Sequence, residues 1–180
     1  MNWPSAVAGS RYIDRRGTAY RLNTAAPGIQ LDVLRFESLL ERAAATADPG
    51  AAADLYRQAL ELYQGDYLAD CLYSDWAGPA RERLRTQYLG AAGRLAELAL
   101  EAGDPAEARR WAEAVLERDV CWEPAYQILL RAAALEGNRA LIRRTFQRCA
   151  AALQGELGLD PLPETSEVYH AALRAVASSQ

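Results

Sequence analysis

The sequence predicts an all-α protein: an array of stacked helical hairpins, opened by a short N-terminal β-hairpin and closed by a C-terminal capping helix. Three observations carry that prediction. From Leu31 onward the apolar residues recur at helical spacing. Gly-Asp-Pro at 103–105 and Gly-Asn at 137–138 interrupt that pattern, and Gly103 and Gly137 lie 34 residues apart. The stretch RYIDRRGTAYRLN, residues 11–23, is unlike the Ala-, Leu-, Glu- and Arg-rich remainder, with aromatic and β-branched residues around an Arg-Arg-Gly turn.

In chain order, Arg11–Asp14 and Thr18–Leu22 read as strands joined at Arg15–Gly17. An isolated two-stranded hairpin is marginal in water, so this one is expected to pack on the helices through Tyr12, Tyr20 and Leu22. In LDVLRFESLLERAAATA an apolar stripe of Val33, Phe36, Leu39, Leu40 and Ala43 follows an N-cap at Asp32 and stops at Asp48-Pro49-Gly50. AAADLYRQALELY continues as a second helix with Ala52, Tyr56, Ala59 and Leu60 on one side. Residues 89–122 and 123–156 each read as helix, turn, helix. In GLDPLPETSEVYHAAL, Gly158, Pro161 and Pro163 end the sixth helix. Thr165 is expected to cap a seventh, with Glu167 in its first turn and Val168, Tyr169, Leu173 and Val176 over the last open face.

Three units are read on one template: a small residue at the turn, a small one five positions on, an aromatic or apolar one four later and a small one three after that. Residues 33–66 supply Ala47, Ala52, Tyr56 and Ala59. Residues 89–122 supply Gly103, Ala108, Ala112 and Val115; residues 123–156 supply Gly137, Ile142, Phe146 and Cys149. Residues 67–88 stand between the first and second units. With its 34-residue period, this pattern resembles the tetratricopeptide repeat. Small residues let paired helices approach closely, and each hairpin leaves an apolar face for the next to cover. The resemblance implies a concave groove lined by the first helix of each pair, presenting Glu37, Glu41, Glu97, Glu101, Gln127 and Arg131. That groove is mostly acidic, so a basic peptide is its natural ligand. Arg139, Arg143, Arg144 and Arg148 form a basic face on one helix, readable as a phosphate contact or as a solvated surface.

Composition excludes several classes of function. Of 180 residues, 51% are apolar and 24% charged, as in a globular domain. No apolar run approaches the ~18 residues of a membrane span. The opening MNWPSAVAGS is no signal peptide, so a cytoplasmic protein without a membrane partner is expected. Cys71, Cys121 and Cys149 form no CxxC pair and read as free thiols. His170 is the only histidine, and no phosphate-binding glycine loop occurs. No enzyme, cofactor or metal site is expected. All 20 basic residues are arginine. Residues 1–31 carry a net charge of +3 and residues 32–180 one of −7, and an acidic body is poorly suited to binding nucleic acid by itself.

One stretch is more specific than a generic repeat. YQGDYLADCLYSDWAGPARERLRTQYLGAAGRLAELALEAGD places Tyr63, Gly65, Tyr67 and Leu68 before Asp75-Trp76, then Arg81 and Leu84 on a long helix. Glu123 stands at the turn into the third unit, and Leu157-Gly158 leads through Pro161, Pro163 and Glu164 to Thr165. Together these resemble the bacterial transcriptional activator domain of the Streptomyces antibiotic regulatory protein family, over about residues 20–176. In that family an OmpR-like winged-helix DNA-binding domain precedes the repeats. Ala19-Tyr20-Arg21-Leu22-Asn23 and Asp32 are similar to the junction between the two. The resemblance therefore implies that residues 1–31 hold the remnant of a wing and residues 32–180 the activator domain. It implies a non-catalytic regulatory module acting on a second subunit, on its own DNA-binding domain or on RNA polymerase. DNA would be reached only through a domain outside this chain. The alternative is a repeat adaptor unconnected to DNA, and a third reading puts a small ligand between the first repeat and residues 67–88. An Arg81–Asp75 pair beside a packed Trp76 is expected to fix the long helix.

Overall fold

The computed structural model describes residues 12–24, 26, 28–71 and 75–177. Arg11, where the first strand was expected to begin, lies outside them. β1 (Ile13–Arg16) pairs antiparallel with β2 (Ala19–Leu22), Ile13 opposite Leu22 and Arg16 opposite Ala19. The loop is thus Gly17-Thr18 rather than Arg15–Gly17. Gly17 takes φ +64° at the first loop position, where a tight two-residue turn needs glycine's freedom. Nor does the hairpin pack on the helices: all of β2 is exposed, Tyr20 by 69%. The register explains this. Ile13, Arg15, Tyr20 and Leu22 share one face, and the Arg15 guanidinium lies 5.8 Å from the Tyr20 ring centroid. A face carrying its own arginine is a poor partner for an apolar helix surface.

Seven α-helices follow among the described residues: α1 (Asp32–Ala45), α2 (Pro49–Leu62), α3 (Gly78–Glu101), α4 (Pro105–Leu116), α5 (Glu123–Leu135), α6 (Arg139–Leu157) and α7 (Pro163–Ala177), with short 3₁₀ turns at Ala69–Cys71 and Asp75–Ala77. Consecutive helices pack on each other, and α3 also touches α5 as α5 touches α7. That is the pattern of stacked hairpins, with α7 as a lone cap. Residues 67–88 are not a separate insertion, because 78–88 form the first half of the 24-residue α3. No described helix is long and apolar enough to cross a membrane.

The two later turns are copies. Gly103 and Gly137 adopt φ +76° and +66°, a left-handed conformation that only glycine enters freely. In each, the next residue's N–H reaches back five positions, Asp104 to Ala99 O and Asn138 to Ala133 O. The same Asp104 and Asn138 then cap the following helix, accepting from Glu107 N–H (2.9 Å) and Leu141 N–H (3.0 Å). Asp48 does likewise for α2, accepting from Ala51 N–H at 2.8 Å, so Asp48-Pro49 starts a helix as well as ending one. Asp32 is not the cap of α1. It is the first helical residue, and Leu31 holds the cap position without a side-chain bond.

Alanine fills the crossings. Ala59, Ala92, Ala96, Ala108, Ala112, Ala132 and Ala133 are wholly buried. Larger side chains pack around them, including Leu95, Val115, Tyr126 and Ile128. A second cluster of Leu130, Ala133, Ile142, Ala172 and Val176 lies under α7, with Phe146 and Tyr169 stacked at 4.3 Å. Among the described thiols, Cys149 is buried and free, and burial pushes it up to about 12; Cys121 is half-buried.

Thr165 does not cap α7. It is the third residue of that helix, fully buried. Its hydroxyl donates to Glu123 Oε2 at 2.6 Å and accepts from Gln127 Nε2 at 3.0 Å, while Leu162 N–H donates to the same Glu123 oxygen at 2.9 Å. The carboxylate that opens α5 thus holds the start of the capping helix.

Two outcomes follow from this packing. Brief trypsin treatment should cut at Arg15, Arg16 or Arg21 well before any site within residues 32–177, read by mass spectrometry. Thr165→Val, similar in shape but without the hydroxyl, should cost about 1–3 kcal/mol in urea denaturation, because a buried acceptor and donor lose their partner.

Candidate interaction surfaces

Glu97, Glu101 and Arg131 meet in one groove of about 700 Å³ between α3, α5 and α7, whose apolar wall includes Leu100, Leu135 and Val168. The other three expected groove residues do not line it. Gln127 is turned toward Thr165. Glu37 is half-buried and ion-paired with Arg83 across to α3, and Glu41 is exposed further along α1. The groove is also less acidic than the sequence suggests. Arg94 lies 2.9 Å from Glu97 and 3.4 Å from Glu101, so one guanidinium offsets both carboxylates. Leu135 was missed, and Val168, expected over the last open face and packed there, also lines the groove. The signal for Leu135 was an apolar residue placed directly before the Glu-Gly-Asn turn, outside the buried stripe of its helix.

Arg139, Arg143 and Arg144 are exposed on α6. Arg148 separates from them. It binds Glu113 of α4 at 2.8 Å and stands 5.6 Å from the Tyr126 ring centroid.

A second cavity, about 530 Å³, lies between α1, the end of α2 and residues 65–68, with Phe36, Tyr63, Tyr67 and Leu84 among its walls. It occupies the place considered for a small ligand. Tyr63 OH donates to Asp66 Oδ1 at 3.0 Å, and Leu68 adopts φ +52°, rare for a side-chain-bearing residue. Arg81 does not pair with Asp75 there. Its guanidinium donates to the carbonyls of Tyr67 and Leu68 at 3.1 and 3.3 Å, pinning the loop to α3. Trp76, expected in or beside the core, is 71% exposed because its neighbour Ala77 takes the buried position of the turn.

Glu107 is the charged hub that sequence reasoning missed. It receives both Nε and Nη2 of Arg57 on α2 at 2.8 Å, Trp111 Nε1 at 3.3 Å and Arg110 Nη2 at 3.2 Å. The Arg57 hydrogen bonds, chiefly, hold its carboxyl down to about 2. The only sequence sign was an acidic residue three positions after a capping Asp, which helix-terminus physics also explains. Among the described residues no three His, Cys, Asp or Glu side chains gather as a metal site would need.

Stacked helical hairpins with an open groove define a helical-repeat domain. The chain belongs to the bacterial transcriptional activator domain family, which matches residues 31–173. This bears out the resemblance carried by the 63–104 stretch. A curated relative is "Regulatory protein DnrI" of Streptomyces peucetius, 29% identical over 147 residues, 80% of this chain and 54% of that protein. A similar solved structure is "Mycobacterium tuberculosis EmbR in complex with low affinity phosphopeptide", with TM-score 0.72 and 22% identity over 93% of this chain and 46% of that one. The latter shows the shared fold. The chain spans about half the length of each relative.

Because Glu107 is depressed in the folded state, it contributes stability above the ordinary carboxyl value of 4.5 and loses it as pH falls toward about 2. Glu107→Gln should therefore be less stable than the parent at pH 7. It should also lose less stability between pH 4.5 and 2, read from urea midpoints across that range.

Proposed function

We propose that this chain is the regulatory part of a bacterial transcription activator, controlling or pairing an adjacent OmpR-like DNA-binding domain through protein–protein contacts. The family match over residues 31–173 is the observation that carries the transcriptional half of this reading. The matched relative is named a regulatory protein, and the similar structure was solved with a phosphopeptide bound to that protein. The protein-contact half rests on the groove, where an apolar wall faces Glu97, Glu101 and Arg131. Concave, mostly apolar surfaces with a few placed polar groups suit a bound segment of chain. Residues 1–31 fit the role of a wing remnant through the exposed hairpin, whose apolar side chains find no cover on the array.

The chain fused behind a phage repressor's DNA-binding domain, with the operator upstream of a weak reporter promoter, tests the reading in a bacterial host. Transcript should rise several-fold over the DNA-binding domain alone, or operator occupancy should rise through pairing. A fusion that changes neither overturns the proposal and leaves the adaptor reading. Light scattering across concentration separates the two modes: a dimer means paired subunits, a monomer means control by masking or presenting the neighbouring domain.

A further inference from the structure

We propose that the outer face of α6, at Arg139, Arg143 and Arg144, docks an acidic segment of a partner protein. Most other arginines of the array are committed to the fold. Arg57, Arg83, Arg94 and Arg148 hold carboxylates, and Arg81 and Arg85 hold backbone carbonyls. Arg139, Arg143 and Arg144 are exposed and have no hydrogen bond or ion pair among the described residues.

The repeat itself shows what has been withdrawn. Thirty-four residues before Arg143 and Arg144 stand Arg109 and Arg110, in the same places of the preceding hairpin. Arg109 pairs with Glu136 and Arg110 with Glu107. Thirty-four residues after those carboxylates stand His170 and Leu141. The third hairpin keeps the two guanidinium groups and lacks the acids that neutralise them in the second. Among the described residues only the single helix α7 follows, and none of its acids pairs with these arginines.

Helix electrostatics make the arrangement costlier still. Cations are disfavoured near a helix N-terminus, where the backbone N–H groups already concentrate positive charge. α1, α4, α5 and α7 all place an acid in their first turn. α2, α3 and α6 place none, and of these three only α6 begins with an arginine, Arg139. A site that breaks a local rule without an internal partner points to an external one.

Charge complementarity makes that partner anionic, and the setting selects protein over nucleic acid. From Arg139 to Arg144 the helix advances only about 8 Å, roughly one and a half turns. Three guanidinium groups match a short acidic run. A duplex presents a phosphate charge about every 1.7 Å along its length and would meet a body whose net charge from residue 32 on is −7.

A fluorescein-labelled twelve-residue Asp-Glu repeat peptide, titrated with the full chain by anisotropy at low salt, tests this. The wild type should bind, and Arg143→Glu with Arg144→Glu should weaken binding about tenfold or more. Arg143→Gln with Arg144→Gln should fall between, with unchanged melting curves. Arg35→Glu with Arg42→Glu, exposed on α1, makes the same change in net charge and should alter binding less than twofold. Equal loss from both glutamate pairs would reduce the effect to net charge and overturn the proposal. So would no binding at low salt, or a labelled 20-base-pair duplex binding as tightly and depending on the same two arginines.

Discussion

How closely two helices approach is set by the side chains at their crossing, and in this array those side chains are methyl groups. Ala92 and Ala96 on α3, Ala108 and Ala112 on α4, and Ala132 and Ala133 on α5 have almost no accessible surface. The groove between α3, α5 and α7, the position of the α6 face and the course of each turn all inherit that spacing. Interiors pack at crystal-like density, so a bulkier residue at a crossing would displace whole helices. The two glycine turns serve the same end. By ending one helix in a left-handed residue and capping the next immediately, they return the chain antiparallel within two residues, close enough for alanine to meet alanine.

Apolar packing of this kind is adhesive but indifferent to sliding. Two carboxylates supply the fixed points. Glu107, in the first turn of α4, reaches back to Arg57 on α2 and joins the first hairpin to the second. Glu123, opening α5, reaches forward to Thr165 and Leu162 and joins the third hairpin to the cap. Both sit at helix starts, where a negative charge is already favoured by the backbone. Every buried side-chain nitrogen and oxygen among the described residues has a partner, so these polar fasteners lock register without leaving an orphaned group.

Local periodicity made most of the helices readable. Val33, Phe36, Leu39, Leu40 and Ala43 form the inner face of α1 as their spacing implies, and the 34-residue template found Ala108, Ala112, Val115, Ile142 and Cys149, all wholly buried. What escaped depends on residues far apart in sequence. Arg148 looked like part of a basic face because its partner, Glu113, lies 35 positions away. Glu97 and Glu101 looked like an acidic groove because Arg94 counts as a neighbour only once the helix forms. Thr165 has the chemistry of a cap and is used instead as a buried link to Glu123, 42 residues earlier. The hairpin's register turned on one glycine, and moving the turn by a residue reassigns every side chain to the opposite face.

The use of arginine for every described ion pair has a further consequence. A guanidinium keeps its charge at any pH a cell meets, so only the acidic partner of each pair can lose its charge. Burial holds the Tyr63 hydroxyl and the Cys149 thiol near 12, above their ordinary 10 and 9, so these two groups withdraw stability only once pH climbs past 9. The electrostatic fastening of this array is therefore one-sided. It responds to acid and keeps its cations beyond a pH of about 10, where a lysine would begin to lose its charge.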